Sequence, residues 1–440
     1  MRAVKLIVCA VLLVGLAGAW YGTVNARLKT DAAYKRYVAA AEESREKGLY
    51  EQAVENFKHA LSIKGGRDLW LKIRDTYEEY SAAIPTAEVK NAYAKDMLAA
   101  AGEYTKDTEF YLSALLRQME DERYRDAKRT SDLALKNGAV NDEIRDIASR
   151  LTYMTKLDYK LWTSFSSALN GYYAVSDGAS GVVIDNKGDE ISDRYEDVGP
   201  VSADGWTAVK TARGFRLIDG NGVERAVLPK DISASGVYDA DTGLLPLSLD
   251  GKWQYFSIGE DSLLPAKYDS ASAYAEGRAA VATGGKWRLI DAAGETVTEL
   301  PFDEVRPALD GGYTHSGICI AKQGGKWHLF DEKHKQRGDL SAEDIDVFNG
   351  GYIAFKDKGK WGFADAEGSV VKKPEYSEAK SFANGLAAVK NEEGLWGFVD
   401  EAFALVIPYQ YRDADYFNAD RACFVSEGEG MYQRLGFLLD

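Results

Sequence analysis

The apolar positions change period twice along this chain. Residues Leu6 to Val24 form an uncharged run of 19 positions, preceded by Arg2 and Lys5. At 1.5 Å per residue such a run nearly spans a hydrocarbon core of about 30 Å, which predicts a membrane helix within residues 1–26. Trp20 and Tyr21 fall where an interfacial aromatic belt would lie. A cleaved secretory signal is the alternative, because Ala17-Gly18-Ala19 has the small-x-small form of a cleavage site. Basic residues flank both ends of the run. The short basic N-terminus favours single-pass insertion with the bulk of the chain extracytoplasmic, or secretion if the signal is cut.

From residue 27 to 165 the apolar residues recur at helical spacing, with Pro85 as the one proline. Tyr37, Ala40 and Ala41 share a face of one predicted helix. Gly48-Leu49-Tyr50 makes a turn, and Ala53, Phe57 and Ala60 then share a face of a second helix. Small residues at Ala41, Ala53 and Ala60 allow a close crossing. A weaker copy follows 74 residues later, with Tyr124, Ala127, Ser131 and Ala134 in the slots of Tyr50, Ala53, Phe57 and Ala60. This pattern resembles the tetratricopeptide repeat, which implies stacked helix pairs and a concave groove for a peptide. A helical stalk that only spaces the next domain is the other reading.

Between 169 and 440 the period becomes two, and one unit recurs. Gly-Lys-Trp occurs at Trp253, Trp287, Trp327 and Trp361. Trp396 and Phe215 occupy the same slot, at spacings of 38, 34, 40, 34 and 35 from Phe215 onward. Degenerate copies at Gly181–Asp185 and Leu435–Leu438 bring the number to eight. Each unit has an alanine-rich strand after a glycine, a Trp strand closed by Asp-x-x-Gly, and a Pro-x-Tyr-like segment. The Trp strands are apolar on both faces: Trp361 and Phe363 on one, Ala364 on the other. Such a strand must be covered on both sides, and neighbouring units supply the cover. In the tetrads, Asp satisfies backbone N–H groups and Gly accepts positive φ.

Trp361-Gly362 and Trp396-Gly397 in tandem units resemble the WG-repeat family, although Gln254, Arg288 and His328 replace the glycine elsewhere. The fold expected is therefore multidomain α + all-β: a membrane helix, a tetratricopeptide-like region, then a β-propeller of seven or eight small blades. An open β-solenoid is the alternative. Closure is favoured because the last copy stops at Asp440 without its third part, which the other end of the array could complete.

The acidic balance, net −15 with 69 Asp+Glu against 54 Lys+Arg, excludes the basic footprint of nucleic-acid binding. Three cysteines exclude a disulfide scaffold. No G-x-S-x-G, H-E-x-x-H or phosphate-binding glycine loop occurs, so no catalytic residue, cofactor or metal site is assigned. His315, His328, His334 and Cys319 are close in sequence, but on different strands and faces. Asp239-Ala240-Asp241-Thr242-Gly243 resembles part of a calcium loop and reads as a turn. The repeated tryptophans read as core rather than as sugar platforms. Lys252, Lys286, Lys326 and Lys360 read as edge charges, and Cys319 and Cys423 as buried thiols. The WG resemblance implies no reaction. The function expected is a non-enzymatic scaffold for a protein or peptide partner, with binding of a cell-wall polysaccharide as the alternative.

Overall fold

The computed structural model describes residues 2–166, 171–428 and 430–439, with residues 2–19 and 22 described by backbone alone. The chain divides into two compact units, Met1–Met154 and Thr155–Leu438.

The first unit is helical. Its helices are α1 (Arg2–Glu46), α2 (Tyr50–Ile63), α3 (Arg67–Ala83), α4 (Ala87–Glu103), α5 (Thr108–Glu120), α6 (Tyr124–Asn137) and α7 (Asp142–Thr152). Local chemistry sets several of their ends. Thr86, Asp107 and Asn141 accept backbone N–H bonds as N-caps of α4, α5 and α7. Gly138 closes α6 in the left-handed conformation, φ 74°. The helices bury Ala41, Phe57, Trp70, Ile73, Met97, Phe110 and Ile144 in one core. Ala41, Ala53, Phe57 and Ala60 are fully buried, and Tyr37 lies 5.1 Å from the His59 ring.

The N-terminal segment differs from the expectation. The backbone forms one 45-residue helix, Arg2–Glu46, with no break near residue 26. Among the described residues no helix is long and apolar enough to cross a membrane, so the membrane helix is not supported. Most of the expected span, residues 6–19, lies outside the residues whose side chains are described.

The second unit is an eight-bladed propeller, and the ring is closed. Seven blades follow one another from Ser164, and most have four antiparallel strands. Blade 6 is representative: Asp344–Ile345, Ile353–Asp357, Lys360–Ala364 and Val370–Tyr376. A two-residue strand thus precedes the alanine-rich one, an element the repeat pattern did not show. Blade 8 takes Asp413–Ala414, Ala422–Gly428 and Met431–Phe437 from the end of the chain, and its fourth strand is Thr155–Leu157. The register there is Thr155↔Phe437, Lys156↔Gly436 and Leu157↔Leu435. This strand lies upstream of residue 169, where the repeats begin in the sequence. Blade 1 also packs on blade 8: the Phe165 and Phe424 rings are 4.7 Å apart, and Tyr173 OH donates to Ala422 O at 3.2 Å.

Candidate interaction face of the propeller

The repeat slots resolve into packing. Trp287, Trp327 and Trp396 are buried, and Trp253, Trp361 and Phe215 are half-buried. Both faces of the Trp strands are covered: Phe363, Ala364 and Phe398 are fully buried, and Val399 is buried. Basic side chains complete several slots, with the Arg306 guanidinium 4.4 Å from the Trp327 ring and Lys390 5.4 Å from Trp396.

The glycine after tryptophan has a steric cause. A Cβ on Gly362 would lie 2.5 Å from Lys372 O, and one on Gly397 would lie 2.7 Å from Ile407 O. In both blades the outer strand bulges across this position, with a register shift between Trp361 and Phe363 and between Trp396 and Phe398. Where another residue stands there, the arrangement changes. Blade 4 keeps a regular pair at Arg288↔Glu299. Gln254 donates to Leu264 O at 3.1 Å, and His328 Nδ1 meets Leu340 O at 2.8 Å.

The Asp-x-x-Gly tetrads form one repeated turn. Asp291 Oδ1 accepts from the N–H groups of Ala293 and Glu295, Asp365 from Glu367 and Ser369, and Asp400 from Ala402 and Ala404. These carboxylates are occupied by their own backbone. Asp239 likewise binds Thr242, so the calcium-like sequence forms a turn.

The histidines do not converge. His315 faces Asp310 at 3.3 Å, His328 faces Leu340 O, and His334 packs beside Phe302 and Tyr313. Among the described residues no group of three metal-ligating side chains forms. Burial pushes the Cys319 thiol up to about 12 and the Cys423 thiol well above its ordinary value, which keeps both as unreactive thiols. Lys252 pairs with Asp269 and Lys360 with Glu392, while Lys286 and Lys326 are exposed.

A charged network that the repeat pattern did not reveal lies where blades converge. Tyr416 of blade 8 donates to Asp346 of blade 6 at 2.7 Å, passing over blade 7. Side chains of non-adjacent blades meet only near the propeller axis. Lys380 of blade 7 joins them, with its ammonium 3.1 Å from the buried Asp415 carboxylate and 4.9 Å from the Tyr416 ring. Ser381 N–H donates to Asp346 at 2.6 Å, and Arg306 of blade 5 pairs with Asp344 at 2.9 Å. One signal could have revealed this group: Asp346, Lys380 and Asp415 each follow an acidic residue and a small or apolar one, in the same slot of successive units.

Desolvation raises the Asp346 pKa, outweighing the Ser381 and Tyr416 hydrogen bonds that lower it. Burial works against the Lys380 ammonium, but Asp415, Asp413 and Asp346 together outweigh it, and that pKa is raised. The Asp346 shift has a definite sign. As pH rises past the ordinary carboxylate range, about 4, the unfolded chain gives up this proton before the folded one does. The folded state then loses stability until the raised pKa is passed. Urea unfolding of the wild type and Asp346→Asn across this window should show the wild type losing ground with rising pH. A flat difference would mean that desolvation does not dominate at Asp346.

These features define a repeat-built β-propeller whose repeat residues are spent on packing and turns. The family model described as WG containing repeat matches residues 262–287, 287–327, 361–394 and 396–429, so this stretch carries WG repeats. The solved structures it is similar to include the C-terminal WD40 domain of Sif2, at 10% identity and TM-score 0.45, covering 64% of this chain and 98% of that one. Others are Kluyveromyces lactis Hsv2 (11% identity, TM-score 0.38, 63% and 99%) and the Neurospora crassa Pan2 WD40 domain (12%, TM-score 0.35, 55% and 88%). Among curated proteins the sequence matches none.

Proposed function

We propose that this chain is a non-enzymatic scaffold that holds a protein or peptide through its helical repeats and the loop face of its propeller. One observation carries the reading. On the helical unit, a groove of about 470 Å³ is lined by Asn91, Lys95, Leu98, Gln118, Arg123 and Arg129. Gln118 is 3% exposed, and its Oε1 has no partner among the described residues. A buried amide oxygen without a donor costs stability unless an occupant or water supplies one. Arg123 and Arg129 are both paired with Asp126 in the same lining, so apolar Leu98 beside amide and paired charged groups suits an extended backbone with polar side chains.

The carbohydrate alternative has less support. Among the described residues of the propeller unit, Tyr159 is the one exposed aromatic, which leaves little surface for sugar stacking. The basic start and apolar run of residues 2–24 have the form of an export signal, on which an extracytoplasmic location is part of the proposal. Cross-linking on intact cells, followed by mass spectrometry, tests the whole reading. A protein or peptide cross-linked through Lys95 is expected. Capture of polysaccharide fragments alone, or of nothing, would remove the scaffold reading.

A further inference from the structure

One contact recurs where blades meet. The residue 18 positions after each slot tryptophan is apolar and stands on the first strand of the next blade: Ala271 after Trp253, Val305 after Trp287, Ile345 after Trp327, Ala379 after Trp361 and Ala414 after Trp396. Val305, Ile345, Ala379 and Ala414 are buried. Trp287 shares a core with Val305, Trp327 with Ile345 and Trp361 with Ala379. The junction of blades 2 and 3 departs from this on both sides. Phe215 replaces the tryptophan. Ser235, which pairs with Leu247 as Val305 pairs with Ala321, replaces the apolar residue. Ser233, 18 positions after Phe215, is a serine as well.

The two smaller side chains leave an open recess of about 260 Å³, with Phe215, Ala208 and Ile232 as apolar walls and Lys210 and Ser235 among its polar residues. Three properties narrow what fits. Where the tryptophan is kept, the lysine opposite it on the ladder lies over the ring: Lys322 is 5.7 Å from Trp327, and Lys390 is 5.4 Å from Trp396. Lys210 stands opposite Phe215 in the same register, exposed and held only by Glu196 at 3.8 Å. Second, Ser235 is half-buried, and its Oγ makes no hydrogen bond among the described residues. Gly199 keeps that hydroxyl clear, because a Cβ there would lie 2.4 Å from it. Third, the volume falls below the roughly 300–1,000 Å³ of small-molecule sites and suits one bulky side chain.

Resting on the scaffold reading above for the partner being a protein, we propose that this recess takes the indole ring of a tryptophan on a partner segment. The inserted ring restores the contact that the tryptophan junctions make from their own sequence. Its faces lie against Phe215, Ala208 and Ile232, which removes apolar surface from water on both sides. The Lys210 ammonium supplies the cation–π attraction that Lys322 and Lys390 supply to Trp327 and Trp396. The indole N–H donates to Ser235 Oγ, as a buried indole requires a polar partner. A leucine side chain fills less of the space and gains neither polar contact, and a basic side chain is repelled by Lys210.

The test uses the full chain and N-acetyl-tryptophanamide, titrated to about 10 mM and followed by saturation transfer from protein to probe in NMR. Saturable binding is expected, with a dissociation constant of about 1 mM or tighter. The variant Phe215→Trp/Ser235→Val fills the recess with residues that other junctions use. It should melt at or above the wild type and bind the probe about tenfold or more weakly. Lys210→Met, at an exposed position, should keep the melting temperature and weaken binding about threefold. N-acetyl-leucinamide should bind at least about fivefold more weakly than the tryptophan probe. No saturable binding by the wild type, equal binding by the filled variant or by Lys210→Met, or equal binding of the leucine probe would overturn the proposal. Cross-linking on intact cells with the filled variant separates the two readings. A protein partner captured unchanged refutes the recess proposal and leaves the scaffold standing, whereas no protein captured by the wild type removes the scaffold itself.

Discussion

A full chain truncated after Gly430 is expected to lose amide protection in blade 1 as well as in blades 7 and 8, and to melt as a destabilised whole. The deleted strand, Met431–Phe437, is paired on one side with Ala422–Gly428 and on the other with Thr155–Leu157. It buries Leu435 and Phe437, and Gln433 donates to Asp158 O at 2.7 Å, across 275 residues of sequence. Two buried side chains of this size are worth about 2–5 kcal/mol each, a large share of an ordinary total stability of about 5–15 kcal/mol. In an open array a terminal deletion would loosen only its neighbours. In this ring it frees two edges at once and exposes the Phe424 packing on Phe165 and Tyr173. Hydrogen exchange over Tyr172–Ser176 and Gly181–Asp185 distinguishes the cases: unchanged protection there would mean that the blades are energetically independent.

Trp396→Ala is expected to cost about 3–5 kcal/mol in denaturant unfolding of the propeller, the usual penalty for truncating a buried aromatic. Trp396 is 2% exposed, pairs with Tyr411 across the ladder and carries Lys390 on its face. Trp361 occupies the same repeat slot but is half-buried, so Trp361→Ala should cost distinctly less. The comparison isolates burial, because the slot and the deleted side chain are the same. Equal losses would mean that the slot itself, through the bulge across Gly362 and Gly397, sets the energy. A stable Trp396→Ala protein with impaired partner binding would assign that ring to recognition instead.

The repeat was legible because its causes are local. A strand apolar on both faces announces that neighbours will cover it, and an aspartate two and four residues before the amides it binds announces its own turn. Ala41, Ala53, Phe57 and Ala60 were legible for the same reason, since a helix places i, i+3 and i+4 together whatever surrounds it. Even the glycine after tryptophan was visible as a motif. Its purpose was not, because the clash it avoids comes from Lys372 and Ile407 on the next strand.

What the tertiary structure alone decided is what depends on distant segments converging. Thr155–Leu157 is three residues long, too short to carry a period, and becomes a strand only because the last blade offers an unpaired edge. Blade convergence likewise brings Tyr416 to Asp346 and sets Lys380 beside Asp415: the shared slot is visible along the chain, but not that it faces the axis, where side chains two blades apart meet. The recess between blades 2 and 3 draws its walls from both, so it does not exist as a pattern in any one repeat. Local hydrogen bonding and side-chain alternation are written into each unit. Closure, axial charge pairing and recess shape arise from packing eight unequal copies around one axis, where each side chain's partner is fixed by the ring rather than by the unit that carries it.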